Sequence, residues 1–359
     1  VVGAVRSGTI ENCHNINSTV ELYDECRGVG GVVGQVKGVI KNCTNIGGRV
    51  VGKKDANGNT LTGGVVGTLV AGRAQDCYNT GNVTGEGNRV GGVIGLINPS
   101  LTVQDCYNTG NVTGEGNWVG GVIGVINLSS TVQDCYNTGN VTGKGDSVGG
   151  VVGFTYSTVQ DCYNTGNVTG EGNFVGGVAG VAGTSSTVQD CYNTGSINGG
   201  DRTGGIVGIA ANIVTKCYNT GTIISKGING TGGIVGSCGT KIPQDISLCF
   251  NAGTVQAPEN AGGISGYLGA QNYAAKETKC YNKGKVICTQ SNTGRGEIIG
   301  KMASDATVTN SYYFTNETSR YGVGTINDGG DIEAKRKGTQ KTTTNLNSYE
   351  EFLTWIEQQ

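Results

Sequence analysis

Five aspartates, Asp76, Asp105, Asp134, Asp161 and Asp190, each stand immediately before a cysteine. Carboxylates held close on one surface can serve as the acid and base of glycoside hydrolysis, and stacked carboxylates can recruit Ca²⁺. A catalytic pair occurs once, however, and this aspartate comes five times running, which suits a turn-former better. Cysteine is the louder signal. The chain holds 13, ten of them at one recurring position: Cys13, Cys43, Cys77, Cys106, Cys135, Cys162, Cys191, Cys217, Cys249 and Cys280. Zinc needs a converging cluster such as Cys-x-x-Cys, and no two of the cysteines lie closer than eight residues, the spacing of Cys280 and Cys288. One cysteine per repeat instead builds a ladder. Inward-facing reduced thiols are the favoured reading, although neighbours on such a ladder fall within disulfide reach. Cys26, Cys238 and Cys288 stand outside it, as loop or gap-filling residues.

Two further columns follow each cysteine. Asparagine comes two residues later, at Asn79, Asn108, Asn137, Asn164, Asn193, Asn219, Asn251 and Asn282. An amide stacked on an identical amide both donates and accepts, so an internal asparagine ladder is expected. Between them stand Tyr78, Tyr107, Tyr136, Tyr163, Tyr192, Tyr218 and Tyr281, replaced by His14, Thr44 and Phe250 elsewhere. A column that accepts His and Thr belongs outside or half-exposed, where stacked rings stabilise one another or hold a sugar. One position varies while its flanks are copied: Arg89, Trp118, Ser147, Phe174 and Arg202 precede Val-Gly-Gly or its equivalent. This is either an exposed turn that tolerates any residue or a recognition strip. In the second case Arg89, Trp118, Phe174 and Arg202 are the contact residues, Trp118 and Phe174 lying two coils, about 10 Å, apart.

These residues need elements to position them, and the repeat supplies those. A unit of about 29 residues reads Gly-Gly-Val-Val-Gly, a variable loop, then Thr-Val-Gln-Asp-Cys-Tyr-Asn-Thr-Gly-Asn-Val-Thr-Gly; from Cys77 to Cys191 the spacings are 29, 29, 27 and 29. The 67 glycines far exceed the roughly 25 of ordinary usage at this length. Only 3 prolines accompany them, which argues against collagen or a Pro-rich linker. Each unit offers three short β-prone runs separated by Gly and Asn turns, and none with a 3.6-residue period. Three strands in about 29 residues make one coil of a parallel β-helix. The expected fold is therefore all-β: a β-solenoid of about ten to eleven coils over residues 1–302, with three short strands per coil.

Residues 303–345 lose the repeat, except that Ser311 takes the cysteine position once more, and read as a degenerate last coil and an irregular segment. In 346–359, Ser348-Tyr-Glu-Glu351 is a capping box, and Phe352, Trp355 and Ile356 share a helical face. That helix is expected to cap the open apolar end of the stack. Val1-Val2-Gly3 matches the end of an internal motif, so the chain reads as part of a longer protein.

Net charge is −2 and charged residues make up 14%. No basic stripe suggests nucleic-acid binding, and no apolar run is long enough for a membrane span.

The Gly-Gly-Val-Val-Gly and Asp-Cys-Tyr-Asn-Thr-Gly-Asn-Val segments, recurring over about 300 of the 359 residues, resemble the GLUG-motif repeat of bacterial surface and secreted proteins. That family includes adhesin-like proteins and streptococcal immunoglobulin A proteases. The resemblance implies a secreted or cell-wall-associated location and a supporting or binding role, with no cofactor, and it carries no catalytic residue across. The His-Glu-x-x-His zinc motif of such proteases is absent, His14 being the sole histidine. The expected function is a non-catalytic scaffold or adhesin-type stalk that binds a host glycan or extracellular protein along its side or presents neighbouring domains. The alternatives are an accessory domain of a large secreted peptidase or glycan-active enzyme, and a carbohydrate-active β-helix enzyme. The last would require a unique charged cluster, and the sequence offers columns.

Overall fold

The computed structural model describes residues 2–22, 28–55, 58–238, 244–269, 275–291, 293–315, 320–326, 333, 336 and 338–359. Cys26 lies outside them. The chain is an all-β parallel solenoid of about eleven turns with one C-terminal helix. It divides into two compact units, one of Val1–Gly172 with Val178–Val181 and one of Asn173–Gly177 with Ala182–Gln359.

In the first unit each residue lies beside its own copy one repeat later. Tyr107 pairs with Tyr136, Val112 with Val141, Val119 with Val148, Ile123 with Val152 and Val132 with Val159, all parallel. All three β-prone runs form strands. The middle one bends between Thr131–Gln133 and Tyr136–Asn137, and a two-residue Val-Gly strand such as Val119–Gly120 completes the coil. Side chains alternate in and out with period two, so Val103, Cys106, Asn108, Val119 and Ile123 are fully buried. The bend falls on the aspartate, which adopts left-handed backbone at Asp76, Asp105, Asp134 and Asp161 (φ 51–53°). Asp tolerates that region better than most residues because its short side chain bonds locally.

Glycine is required where coils nearly touch. A Cβ on Gly120 would sit 1.9 Å from the Ile123 carbonyl oxygen. On Gly121 it would meet the Gly150 oxygen at 2.0 Å and the Asn137 amide carbon at 2.5 Å. The amides thus fill space that the second glycine leaves open. Along this core Asn15, Asn45, Asn79, Asn108 and Asn137 each donate Nδ2 to the Oδ1 of the next, ending on Asn164, at 2.6–2.8 Å. Each amide from Asn79 to Asn164 also donates to the carbonyl of the glycine two residues on. The cysteines from Cys43 to Cys162 are buried free thiols, each donating to the backbone oxygen two residues back.

The second unit repeats the plan with Asn193, Asn219, Asn251 and Asn282 in a ladder of 2.8–2.9 Å bonds. Cys191, Cys217, Cys249 and Cys280 are buried likewise, and Ser311 takes the next place beside Cys280. Cys238 is also buried, filling the core between Ala210 and the next coil, whereas Cys288 is partly exposed. Where the asparagine ladder ends, Tyr313 pairs with Asn282. There Glu297 takes the place of the second glycine, and its carboxylate accepts from Arg320 at 2.9 Å.

The C-terminal helix, Tyr349–Ile356, forms as expected: Ser348 Oγ accepts from the Glu351 amide, and Glu351 accepts from the Asn347 amide at 2.7 Å. Its placement corrects the expectation of an end cap. The helix lies along the side of the second unit, across the outward aromatic column of four successive coils. Tyr349 stacks on Tyr218 at 4.9 Å, Phe352 lies 5.8 Å from Phe250 and 6.1 Å from Tyr281, and Trp355 meets Tyr312 edge-on at 4.8 Å. The column offers a continuous apolar strip, and the helix buries Phe352 and Ile356 on it.

One inward position in this unit breaks the pattern. Glu277 stands in register with Ile246 and Val308, fully buried. One carboxyl oxygen accepts from Ser265 Oγ at 2.6 Å, and the other has no hydrogen-bond partner. Burial pushes its carboxyl up to about 8 from the ordinary carboxylate range. The proton is therefore kept by the folded chain and lost by the unfolded one between pH 4.5 and about 8. Stability contributed here is present at low pH and falls as pH rises through that window, by about 1.4 kcal/mol per unit at most. Glu277→Val is expected to raise stability at pH 8 by about 2 kcal/mol and to flatten this slope, as urea unfolding at pH 5 and pH 8 would measure.

Candidate functional site

The variable column stands immediately before each Val-Gly pair, within the strand Asn88–Gly91 at Arg89 and just ahead of the two-residue strand at Trp118, and its backbone is unusual. Arg89, Trp118, Ser147, Phe174 and Arg202 all have left-handed φ, between 55° and 67°. Later coils put Gly230 (φ 100°), Asn260 (φ 51°) and Gly294 (φ 69°) at the same place, the residues that adopt this region most readily. Bulky side chains there cost about 1–2 kcal/mol each. Such strain at successive coils points to a use other than stability.

In the first unit the use is visible. Arg89, Leu96, Trp118, Asn127, Phe154 and Tyr156 line a groove of about 560 Å³, with Asp55, Asn59, Leu61 and Val125 completing it. The Arg89 guanidinium lies over the Trp118 ring, 4.8 Å from its centroid. Phe154 meets Trp118 edge-on at 6.3 Å, and Tyr156 meets Phe154 edge-on at 4.7 Å. The volume falls within the range of small-ligand sites. Burial lowers the Arg89 guanidinium from its ordinary value.

Of the residues expected from sequence, the structure brings Arg89 and Trp118 together here. Phe174 and Arg202 make their own pair in the second unit, with the guanidinium 5.4 Å from the Phe174 ring centroid. Ser147 is buried. Sequence reasoning missed Phe154 and Tyr156. Their signal was a short repeat, of 27 residues, where Gly-Phe-Thr-Tyr-Ser replaces the longer loop of its neighbours. Phe154 stands in register with Val125, and Val125 with Leu96, so the groove floor is one column in which Phe154 is the bulkiest residue.

The other columns are placed as follows. Tyr78, Tyr107, Tyr136 and Tyr163 stack half-exposed at 4.8 Å with their planes within 4°. Asp105, Asp134 and Asp161 are exposed beside them, and partial burial and the charges of Asp134 and Asp76 push the Asp105 carboxyl up. In the second unit Lys216, Leu248 and Lys279 take the aspartate's left-handed corner (φ 53–54°), so the corner does not depend on a carboxylate. Among the described residues, no three His, Cys, Asp or Glu converge to hold a metal ion. No helix among them is long and apolar enough to cross a membrane.

Against protein families, residues 145–169 match the GLUG motif. No curated protein and no solved structure matches the chain.

Proposed function

We propose that this GLUG-motif repeat chain is a non-catalytic binding module of a secreted or cell-surface bacterial protein, holding a glycan or extracellular protein on its side through the Trp118 groove. One observation carries the reading. Aromatic and basic side chains are kept on strained left-handed backbone at Arg89 and Trp118, and they converge with Phe154 and Tyr156 on one concavity. The frozen columns account for the scaffold, and the residues that depart from them account for recognition. The surface location rests on the likeness of the repeat to bacterial surface and secreted proteins. An accessory role beside a catalytic domain is compatible with the same groove.

The test is binding of the whole chain to an array of glycans and matrix proteins, with Trp118→Asn and Phe174→Asn alongside. Asparagine suits the backbone, as Asn260 demonstrates at φ 51°, so both variants should fold. Binding is expected to fall about tenfold or more in Trp118→Asn, the scale of losing one buried aromatic anchor. Binding that survives in Trp118→Asn would remove the groove from the account.

A further inference from the structure

We infer that the groove is built for an acidic saccharide, a glycan bearing a carboxylate or sulfate that Arg89 receives; this rests on the binding role proposed above. The first observation is an unmatched charge. Arg89 is half-buried, and among the described residues it makes no ion pair. A guanidinium is always charged and presents its N–H donors in a planar fork that fits a carboxylate or sulfate with two parallel bonds. Here the guanidinium lies over the Trp118 ring, its carbon 4.8 Å from the centroid, a cation–π contact that restrains the group without using its N–H donors on a carboxylate. Asp55 also lines the groove. Its Oδ1 accepts from the Asn59 backbone amide at 2.8 Å, which engages it in its own turn.

The second observation concerns the class of ligand. A peptide can enter a β fold by adding a strand to an open edge. The strands beneath the groove have none to offer: Leu96 pairs with Thr68 on one side and Val125 on the other, and Val125 continues to Phe154. What the groove presents is side chains. The rings of Trp118, Phe154 and Tyr156 form a stepped aromatic wall, against which the C–H faces of sugar rings pack. Asn127, on the same wall, supplies an amide able to donate and accept. Aromatic faces, one amide and one unmatched fork are the parts needed to read a charged pyranose.

The experiment uses the full chain and five probes: 3′-sialyllactose, a galacturonate trimer, their neutral counterparts lactose and a galactose trimer, and an Asp/Glu-rich peptide. Calorimetry at low and high salt, on the parent chain, Arg89→Asn and Arg89→Lys, gives the readout. The acidic sugars are expected to bind about tenfold or more tighter than the neutral ones, a preference that Arg89→Asn abolishes. Arg89→Lys should restore only part of it, since an ammonium keeps the charge and loses the fork. Salt should weaken the acidic sugars selectively. Equal binding of acidic and neutral sugars, or a preference that survives Arg89→Asn, overturns the acidic assignment and leaves the groove reading standing. Binding of the acidic peptide alone overturns the saccharide assignment. If no probe binds while the array of glycans and proteins yields a Trp118-dependent ligand, the acidic class is wrong and the groove is not. If neither experiment yields a ligand, both readings fail. Melting temperatures accompany each variant, and Arg89→Asn should melt no lower than the parent, because asparagine adopts the φ of 66° at that position more readily.

Discussion

Asn137→Leu is expected to destabilise the first unit by about 3–6 kcal/mol, although leucine matches asparagine closely in branching and size. Asn137 Oδ1 accepts from Asn108 at 2.8 Å, and its Nδ2 donates to Asn164 Oδ1 at 2.8 Å and to the Gly139 carbonyl at 2.7 Å. Replacement leaves an Asn108 hydrogen, an Asn164 oxygen and the Gly139 carbonyl short of a partner, all out of reach of water. Each such group costs about 1–3 kcal/mol. No compensating move is available, because Gly121 already brings the neighbouring backbone within van der Waals contact of the amide. Asn15→Leu serves as the internal comparison. Asn15 sits at the end of the ladder and makes only one strong amide bond, to Asn45 at 2.6 Å. Its loss should cost about 1–2 kcal/mol. Chemical unfolding followed by circular dichroism separates the two, and equal effects at both positions would deny the ladder its energetic role.

Cys135→Arg should be more severe, by about 5 kcal/mol or more, which is comparable to the whole stability of many domains. Cys135 is fully buried, with its thiol donating to the Gln133 oxygen at 3.2 Å. Arginine there would bury a charge with no carboxylate to meet it and add several atoms to a column shared with Cys106 and Cys162. Burial already pushes the Cys135 thiol up, a sign of how poorly that site accepts charge. Because each coil is stabilised by its immediate neighbours, the damage should spread through the coils stacked on it. A melting temperature unchanged by Cys135→Arg would mean the cysteines do not line the core.

The register of this fold was readable because it is spelled out. When Tyr107 and Tyr136 recur with their flanks intact, only stacking copy on copy gives every inward Val, Cys and Asn the same surroundings. The outward direction of the tyrosine column was readable from the variety it accepts and holds for Tyr78, Tyr107, Tyr136 and Tyr163, whereas Thr44, Phe250 and Tyr281 are buried, the last two in the cluster that the helix completes. Backbone conformation at the variable position was hidden, because Trp and Phe are poor markers of left-handed φ and the Gly and Asn copies that betray it lie four coils or more beyond Trp118. Phe154 and Tyr156 were hidden for a different reason. They occur once, in the loop where copies differ in length, and repetition says nothing about a residue that does not repeat. The helix pattern revealed a sticky face in Phe352 and Ile356 and no destination. Its true partners, Phe250, Tyr281 and Tyr312, are spread over 63 residues, from 250 to 312, and become one strip only when the coils are stacked.

The central claim is that residues departing from the repeat do the binding, and Trp118 reports on it directly. Trp118 and Trp355 are the only tryptophans, so a Trp355→Phe chain leaves one emitter, in the groove. Titrating that chain with the galacturonate trimer should shift or quench the Trp118 emission along the same isotherm that calorimetry records. Binding recorded by calorimetry with the Trp118 emission unchanged would place the ligand elsewhere and contradict the account.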